Sequence, residues 1–286
     1  MASLLGETIT LPEDLFALLS ELIRQHLGLE YPPDKRSILQ DRLYPLLVEE
    51  GMDSFFDLYY LLKYNGGNET LWKRVQSALA VRETYFWREV DQILAAANYL
   101  IPALQAEAPG RTVRVWHAAC ASGEEPYSLA MALSENGAVD WERLEIIGTD
   151  FDETSLNIAR RGVYGMRSFR VLPAHLREKY FTEVQSQHFQ IHEKFLKKVQ
   201  FKYLNLMDDA GMQGMQNFDF IFCRNVFIYF DIPSITRTTQ HFYEALRNPG
   251  YLFLGAAESL LRIPTRLELR ELHRAFVYVK QEKEET

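Results

Sequence analysis

The chain has 286 residues, 47% of them apolar and 24% charged, which is the composition of a soluble globular protein with ample core for one large or two smaller domains. A formal net charge of −8 excludes non-specific nucleic-acid binding as the main role, because phosphate contacts need clustered Lys and Arg. No apolar run is long enough to span a bilayer and no basic-then-apolar leader stands out, so no direct membrane insertion and a cytoplasmic location are expected.

Residues 1–80 read as all-helical. Thr10 with Glu13 three residues later is a capping-box pattern, and Pro12 suits a first turn. Leu15, Leu18, Leu19, Leu22 and Ile23 then form an apolar helical face that ends near Gly28. A second helix is predicted from Asp34 to Glu50, with Ile38, Leu39, Leu43, Leu46 and Leu47 inward and Pro45 kinking or shortening it. A third follows Asp53-Ser54 with Phe55, Leu58, Tyr59 and Leu62 and stops at Asn65-Gly66-Gly67; a fourth covers Glu69–Ala80. Lys35, Arg36 and Arg42 fall on the second helix, with Lys35 and Arg42 two turns apart on one face, as a docking surface for an acidic partner or as a solvated helix face.

Residues 81–111 connect two parts. Arg82–Glu89 is dense in aromatic and charged residues, which suits either a domain junction or a lid over a planar ligand, and a helix over Val90–Leu104 follows. From Arg111 strands and helices alternate, the pattern of a mostly parallel sheet. Strands are predicted at Val113–Ala118, Glu145–Thr149, Lys198–Tyr203, Phe218–Cys223, Tyr251–Leu254 and Ala275–Val279. Helices are predicted at Asp152–Arg161 and Ile232–Arg247, and Asn248-Pro249-Gly250 reads as a turn. The alternation lapses between Gly162 and Lys198, as an insertion would make it.

Ligands of open α/β sheets bind beyond the carboxyl ends of the strands, at the switch of strand order. The first strand end leads into Ala121-Ser122-Gly123 and the acidic helix start Glu124-Glu125. A helix N-terminus ordinarily attracts anions; two carboxylates there suit a cationic or hydroxyl-rich ligand, or simply complement the helix dipole. Asp150 ends the second strand, the position of a ribose partner, while Asp152 is the better helix cap. The G-x-G-x-x-G pattern maps to Ala118, Cys120 and Gly123, so a nicotinamide dinucleotide is disfavoured, and no P-loop is present. S-adenosylmethionine, a nucleoside with a sulfonium and no phosphate, fits these features. The two cysteines, Cys120 and Cys223, match no metal-ligand cluster and the seven histidines read as surface or packing residues, so no metal is expected.

The blocks ETYFWRE, ACASGEEPYSLAMAL, GTDFDETSLNIARRGVY, FDFIFCRNVFIYFD and LRNPGYLFLGAAESL, with Asn205-Leu206, resemble the CheR-type chemotaxis-receptor glutamate methyltransferases over nearly the whole chain. The resemblance implies an all-helical N-terminal domain over 1–80 and an α/β, Rossmann-like S-adenosylmethionine-dependent methyltransferase domain over 81–286, with a small β-subdomain at 162–198. It implies cofactor contacts from Thr84, Arg88, Glu124, Asp150, Asn205, Leu206, Asn225 and Val226. Arg82 stands where the family often has Asn. The implied reaction moves the methyl group of S-adenosylmethionine to a receptor glutamate carboxylate, leaving S-adenosylhomocysteine. Arg88 and Tyr229 are the candidates to orient the incoming carboxylate; for Tyr229 a packed ring at a helix start is the other reading. The implied partner is the cytoplasmic helical region of chemoreceptors, approached by Lys35, Arg36 and Arg42, and the protein is expected to be a monomer. Some members grip a receptor C-terminal pentapeptide with a glycine-rich loop; Thr182–His192 has no glycine, so independence of such a tether is expected. The alternatives are a non-catalytic cofactor-sensing or partner-binding module on the same fold, or a methyltransferase of another protein.

Overall fold

The structure, a computed structural model, describes residues 9–64 and 69–281 and divides into two compact units. The first holds the chain up to Val81 together with Tyr229–Asp231. It consists of α1 (Glu13–Leu27), a 3₁₀ turn (Pro33–Lys35), α2 (Arg36–Glu50), α3 (Phe55–Tyr64) and α4 (Glu69–Leu79). α1 buries Phe16, Leu19, Ile23 and Leu27, a stripe of spacing three, four and four. Leu18, expected inside, lies about 100° round the helix from Leu19 and is 50% exposed. Ile38 is likewise exposed, because Leu39, Leu43, Leu46 and Leu47 define the inner face of α2. Pro12 occupies the cap position of α1 and no side chain caps it, so the Thr10–Glu13 capping box does not form. α2 is not shortened at Pro45; it runs on to Glu50 and closes on Gly51. The predicted stop at Asn65-Gly66-Gly67 lies outside the described residues. Within the same unit the Glu30 N–H donates to the Tyr229 carbonyl (2.8 Å) and Arg24 pairs with Asp231 (2.7 Å).

The second unit opens with α5 (Val90–Ala95), one π-helical turn (Ala96–Leu100) and α6 (Ile101–Glu107), where one continuous helix was expected. Then come β1 (Val113–Ala118), α7 (Glu124–Asn136), β2 (Leu144–Asp150), α8 (Glu153–Arg161), β3 (Val163–Gly165) and α9 (Ala174–Tyr180). β4 (Phe181–Gln185), β5 (His188–Ile191), α10 (Glu193–Lys198), β6 (Val199–Tyr203), α11 (Asp209–Gln213) and β7 (Phe218–Cys223) follow. The chain ends through α12 (Ile232–Ala245), β8 (Leu246–Leu254), β9 (Glu268–Leu272) and β10 (Ala275–Lys280).

Seven strands form one sheet in the order β6-β2-β1-β7-β8-β10-β9. The first five are parallel, and β10 pairs antiparallel with both β8 and β9. β1 is followed in sequence by β2 on one side, and the chain later returns to β7 on its other side. The order therefore reverses between β1 and β7, and a crevice opens at their carboxyl ends. The expected α/β, Rossmann-like class with a preceding all-helical domain is thus observed. A separate sheet, β3-β5-β4, sits between α8 and α10 in sequence. Burial explains the strands: all six residues of β7 are buried, as a central strand covered on both faces requires. Asn248-Pro249-Gly250, expected as a turn before the strand, lies inside β8, where the register against β7 shifts between Phe218 and Phe220. Gly250 permits this, because a Cβ there would stand 2.5 Å from the Arg247 carbonyl.

At the opposite end of the sheet Asp219 is fully buried. Its carboxylate accepts from Arg111 Nη1 (2.6 Å), the Arg114 N–H (2.8 Å) and Arg247 Nη1 (3.0 Å), tying β7 to β1 and to β8. An Asp219→Ala change orphans the Arg114 N–H and releases both arginines; a loss of about 2–3 kcal/mol is expected in urea-induced unfolding, most of it from the buried main-chain donor and the charged contacts.

Candidate active site

The loop after β1 is shaped by close approach. Ala119 and Ala121 have φ of 55° and 47°, and Gly123 caps α7 at φ 87°. A Cβ on Gly123 would meet Ala159 Cβ at 2.8 Å and the Phe201 ring at 2.9 Å, so this glycine serves helix packing. It is not open to a pyrophosphate. The Cys120 N–H donates to the Thr149 carbonyl (2.9 Å), drawing the loop against β2. Asp150 then fixes both adjoining loops: Oδ2 accepts the Ala121 N–H and Oδ1 the Asp152 N–H, each at 2.8 Å. Burial pushes the Asp150 carboxyl up to about 6, against the lowering effect of these two donors. Asp152 caps α8 through the Thr154 and Ser155 N–H groups and also receives Arg82 Nε at 2.7 Å. Arg82 is thereby engaged at the start of α8.

The acidic pair at the start of α7 divides. Glu124 is buried; its oxygens accept from Ser122 Oγ (2.7 Å) and Ser168 Oγ (3.0 Å), and burial raises its pKa. Glu125 faces a different set. Its Oε1 lies 2.8 Å from Nδ1 of the fully buried His117, and its Oε2 lies 3.4 Å from Arg224 Nε. Burial pushes Glu125 up, but Arg224 and His117 outweigh it and the net shift is downward. Arg224, also buried, donates from Nη2 to the Arg88 carbonyl at 2.5 Å.

The segment after β7 is held by a residue that sequence reasoning missed. Asn225 has φ 60°. Its N–H donates to Glu258 Oε2 (2.7 Å), which also takes the Gly255 N–H (2.6 Å); Oε1 takes the Val226 and Phe227 N–H groups, both at 2.7 Å. Glu89, at φ 46°, accepts from Asn225 Nδ2 (3.1 Å) and from the Ala256 N–H (2.9 Å). Glu258 sits in GAAESL and Glu89 in ETYFWRE, both within the blocks quoted above. No spacing rule ties either to Asn225; only the fold does.

The remaining expected residues fall as follows. Thr84 is half-buried, and Arg88 donates from Nη1 to the Glu83 carbonyl at 2.9 Å. Phe86 is buried among Phe169, Phe181 and Tyr164, while Trp87, at φ 68°, donates its N–H to Ser128 Oγ. Asn205 and Leu206 are buried at the end of β6, where the Leu204 N–H donates to the Asp150 carbonyl (3.0 Å). The second unit thus gathers Glu124, Asp150, Asn205, Leu206, Asn225 and Val226 at the carboxyl ends of β1, β2, β6 and β7. Tyr229 groups with the helical unit. Of the basic residues expected on the second helix, Lys35 lies in the 3₁₀ turn before it, Arg36 is exposed at its start, and Arg42 donates to the Leu79 carbonyl at the end of α4 (2.7 Å).

Two family models match the chain: the CheR methyltransferase all-alpha domain over residues 14–79 and the CheR methyltransferase S-adenosylmethionine-binding domain over residues 82–276. The chain belongs to the CheR methyltransferase family. Similar CheR-type proteins include chemotaxis protein methyltransferase 2 of Vibrio cholerae, 32% identical over 280 residues covering 96% of each chain. A chemotaxis protein methyltransferase of Borreliella burgdorferi is 32% identical over 88% of this chain and 90% of its own. A probable biofilm formation methyltransferase, WspC, of Pseudomonas aeruginosa is 33% identical over 71% of this chain and 47% of its own.

The cofactor of this CheR protein is S-adenosylmethionine, and the donor set fits it. The cofactor's sulfonium and ammonium are cationic and its ribose carries hydroxyl donors. The loops gather the carboxylates of Glu89, Glu124, Glu125 and Asp150, and Gly123 is packed shut against Ala159 and Phe201, with no cradle for phosphate. In this setting Glu258 keeps the loop after β7 in shape. A Glu258→Gln change leaves one acceptor oxygen for four main-chain donors; about 2 kcal/mol of stability should be lost in chemical denaturation, since orphaned N–H groups carry their full desolvation penalty. Titration of the same variant with S-adenosylhomocysteine should show weakened binding.

Proposed function

We propose that this CheR protein moves the methyl group of S-adenosylmethionine to glutamate side-chain carboxylates of chemoreceptors, forming methyl esters that serve adaptation in chemotaxis-type signalling. The observation that carries this reading is the match of both domains, in order, to a relative named chemotaxis protein methyltransferase over 96% of each chain. Residues 1–80 act as the helical domain and 81–286 as the catalytic one, with 162–198 as its β-subdomain, in the cytoplasm and as a monomer. Lys35 and Arg36, exposed on the helical unit, are the basic residues offered to a receptor there. A second reading, service to a biofilm-type pathway through the same chemistry, is favoured by the similarity to WspC.

When bound, the cofactor supplies an electrophilic methyl group on a positively charged sulfur. The acceptor carboxylate is ionised at neutral pH, so the protein needs no general base. Its residues bind, orient and exclude water. In this proposal Asp150 takes the ribose hydroxyls, and Asn205 with Leu206 flanks the adenine. Asn225 with Val226 closes the site near the methionine end, and Thr84, Arg88 and Glu124 hold further parts of the cofactor. Arg88 also orients the incoming carboxylate; Tyr229 keeps that role as a candidate from sequence alone. The β4–β5 hairpin turns through Ser186-Gln187 with no longer loop, which supports independence of a pentapeptide tether.

Calorimetric titration with S-adenosylhomocysteine tests the cofactor assignments. Hydroxyl donors need the ionised carboxylate, so binding favours the deprotonated form of Asp150. With its pKa at about 6, affinity should fall by about tenfold between pH 7.5 and pH 5. Asp150→Asn should bind weakly throughout and keep only the pH dependence that Glu124 contributes. Labelled methyl transfer to a receptor cytoplasmic fragment should give base-labile methyl groups, and a receptor C-terminal pentapeptide should show no measurable binding. Base-stable label, or no transfer by a protein that binds cofactor, would sink the glutamate acceptor.

A further inference from the structure

Three arginines converge on two neighbouring side chains beside the candidate site. Arg167 Nη2 lies 3.3 Å from Glu83 Oε2, and Arg170 pairs with the other oxygen of the same carboxylate. The Arg170 guanidinium covers the Tyr85 ring at 3.6 Å and Arg88 approaches it at 5.5 Å, a cation–π arrangement that holds both in place. Arg167 and Arg170 belong to one short segment, the 3₁₀ turn Met166–Phe169 and the residue after it. That segment is anchored, because the Phe86 N–H donates to the Ser168 carbonyl (2.9 Å), Ser168 Oγ donates to Glu124, and Phe169 packs on Phe86. Its outward side chains are not neutral filler. Arg167 is 84% exposed along its side chain, and Met166 and Val171 on either side are 44% and 50% exposed. One exposed carboxylate, Glu83, faces two guanidiniums, and a third, Arg88, donates to the Glu83 main-chain carbonyl, in a chain whose formal charge is −8.

We propose that the segment Met166–Val171 reads an acidic residue one helical turn away from the carboxylate being methylated. Arg167 and Arg170 pair with that flanking carboxylate, and Met166 and Val171 meet the apolar side of the same helix. The occupant is an amphipathic, acidic helical segment of the substrate protein. Charge decides this: a nucleic acid would have to approach past Glu83 and the carboxylates of the site, whereas a helix presenting single carboxylates at a spacing of three or four meets the arginines one at a time. Arg167 and Arg170 are specificity residues here, without contact with the cofactor. The inference rests on the reading that the acceptor is a glutamate on a protein helix.

The test uses the full chain with S-adenosylhomocysteine bound and a designed amphipathic helical peptide carrying an acceptor glutamate. One peptide version has Glu, another Gln and a third Lys one turn away. The wild-type protein should bind the Glu version about tenfold more tightly than the Gln version, with the preference fading at high salt. The doubly reversed Arg167→Glu/Arg170→Glu variant should lose that preference and favour the Lys version, while its affinity for S-adenosylhomocysteine stays within about threefold of wild type. An Arg167→Gln/Arg170→Gln pair, which spares Glu83 a like-charged neighbour, should bind all three versions alike. Equal binding of the Glu and Gln versions by the wild type overturns the proposal, as does loss of cofactor affinity in the Gln pair, which would make the arginines part of the cofactor shell. A Glu version bound with the expected preference yet not methylated once S-adenosylmethionine replaces S-adenosylhomocysteine would leave this surface standing and count against the glutamate acceptor.

Discussion

Carboxylates that accept main-chain N–H groups set the shape of the loops beyond the sheet. Asp150 takes two such donors, Glu258 takes four, and Glu89 takes one together with the Asn225 amide. An ionised acceptor is about twice as strong as a neutral one and fixes its donors in direction. Each of these residues therefore pins segments far apart in sequence to one point: Glu258 joins the chain after β8 to the chain after β7, and Asp150 joins the loop after β1 to the start of α8. The crevice exists because the strand order reverses between β1 and β7. Its walls stay in position because these anions hold them.

The same construction concentrates negative charge where a cationic cofactor belongs. Arg224 is the buried counterweight, 3.4 Å from Glu125 and 3.7 Å from Glu89. Its hydrogen bond to the Arg88 carbonyl links the end of β7 to the aromatic block that precedes α5. Among the described residues no cation lies at hydrogen-bond distance from Asp150 or Glu124, and burial raises the pKa of both. A ligand bearing hydroxyl and ammonium donors relieves that penalty, so part of its affinity arises from carboxylates already desolvated by the fold.

Much of the architecture was legible because burial leaves strong marks. β7 is a nearly continuous apolar run, β1 and β2 set apolar residues among a few polar ones, and the helices of the first unit carry stripes at the helical period. What escaped lies where tertiary context overrides local pattern. β9 reads ELREL, three charged residues and two leucines without strict alternation; four of its five residues are exposed at the sheet edge, and nothing but pairing with β10 makes it a strand. Asn248-Pro249-Gly250 has turn chemistry, yet a register shift absorbs it within β8. The cap of α1 fell to Pro12 although Thr10 offered a better acceptor. At the site, Asp150 and the acidic pair stood out because they end a strand and begin a helix. The division between them did not: Glu124 turns to two serines and Glu125 to His117 and Arg224, a difference created by one residue of helical rotation. Glu89, Arg224 and Glu258 were hidden for the opposite reason, since their partners, main-chain N–H groups for Glu258 and a mixture of main-chain and side-chain groups for Glu89 and Arg224, come from segments far apart in sequence that no local pattern joins.

The two cysteines bear on how this molecule can be studied. Cys120 and Cys223 are free and buried, one just beyond β1 and the other at the end of β7. Burial, reinforced for Cys120 by Asp150 and Glu125 and for Cys223 by Glu258 and Glu125, raises both thiols well above their ordinary range. Neither offers a thiolate to an alkylating reagent while the chain is folded. A single cysteine introduced on the surface would then carry a fluorophore or spin label by itself, with both native thiols left in place.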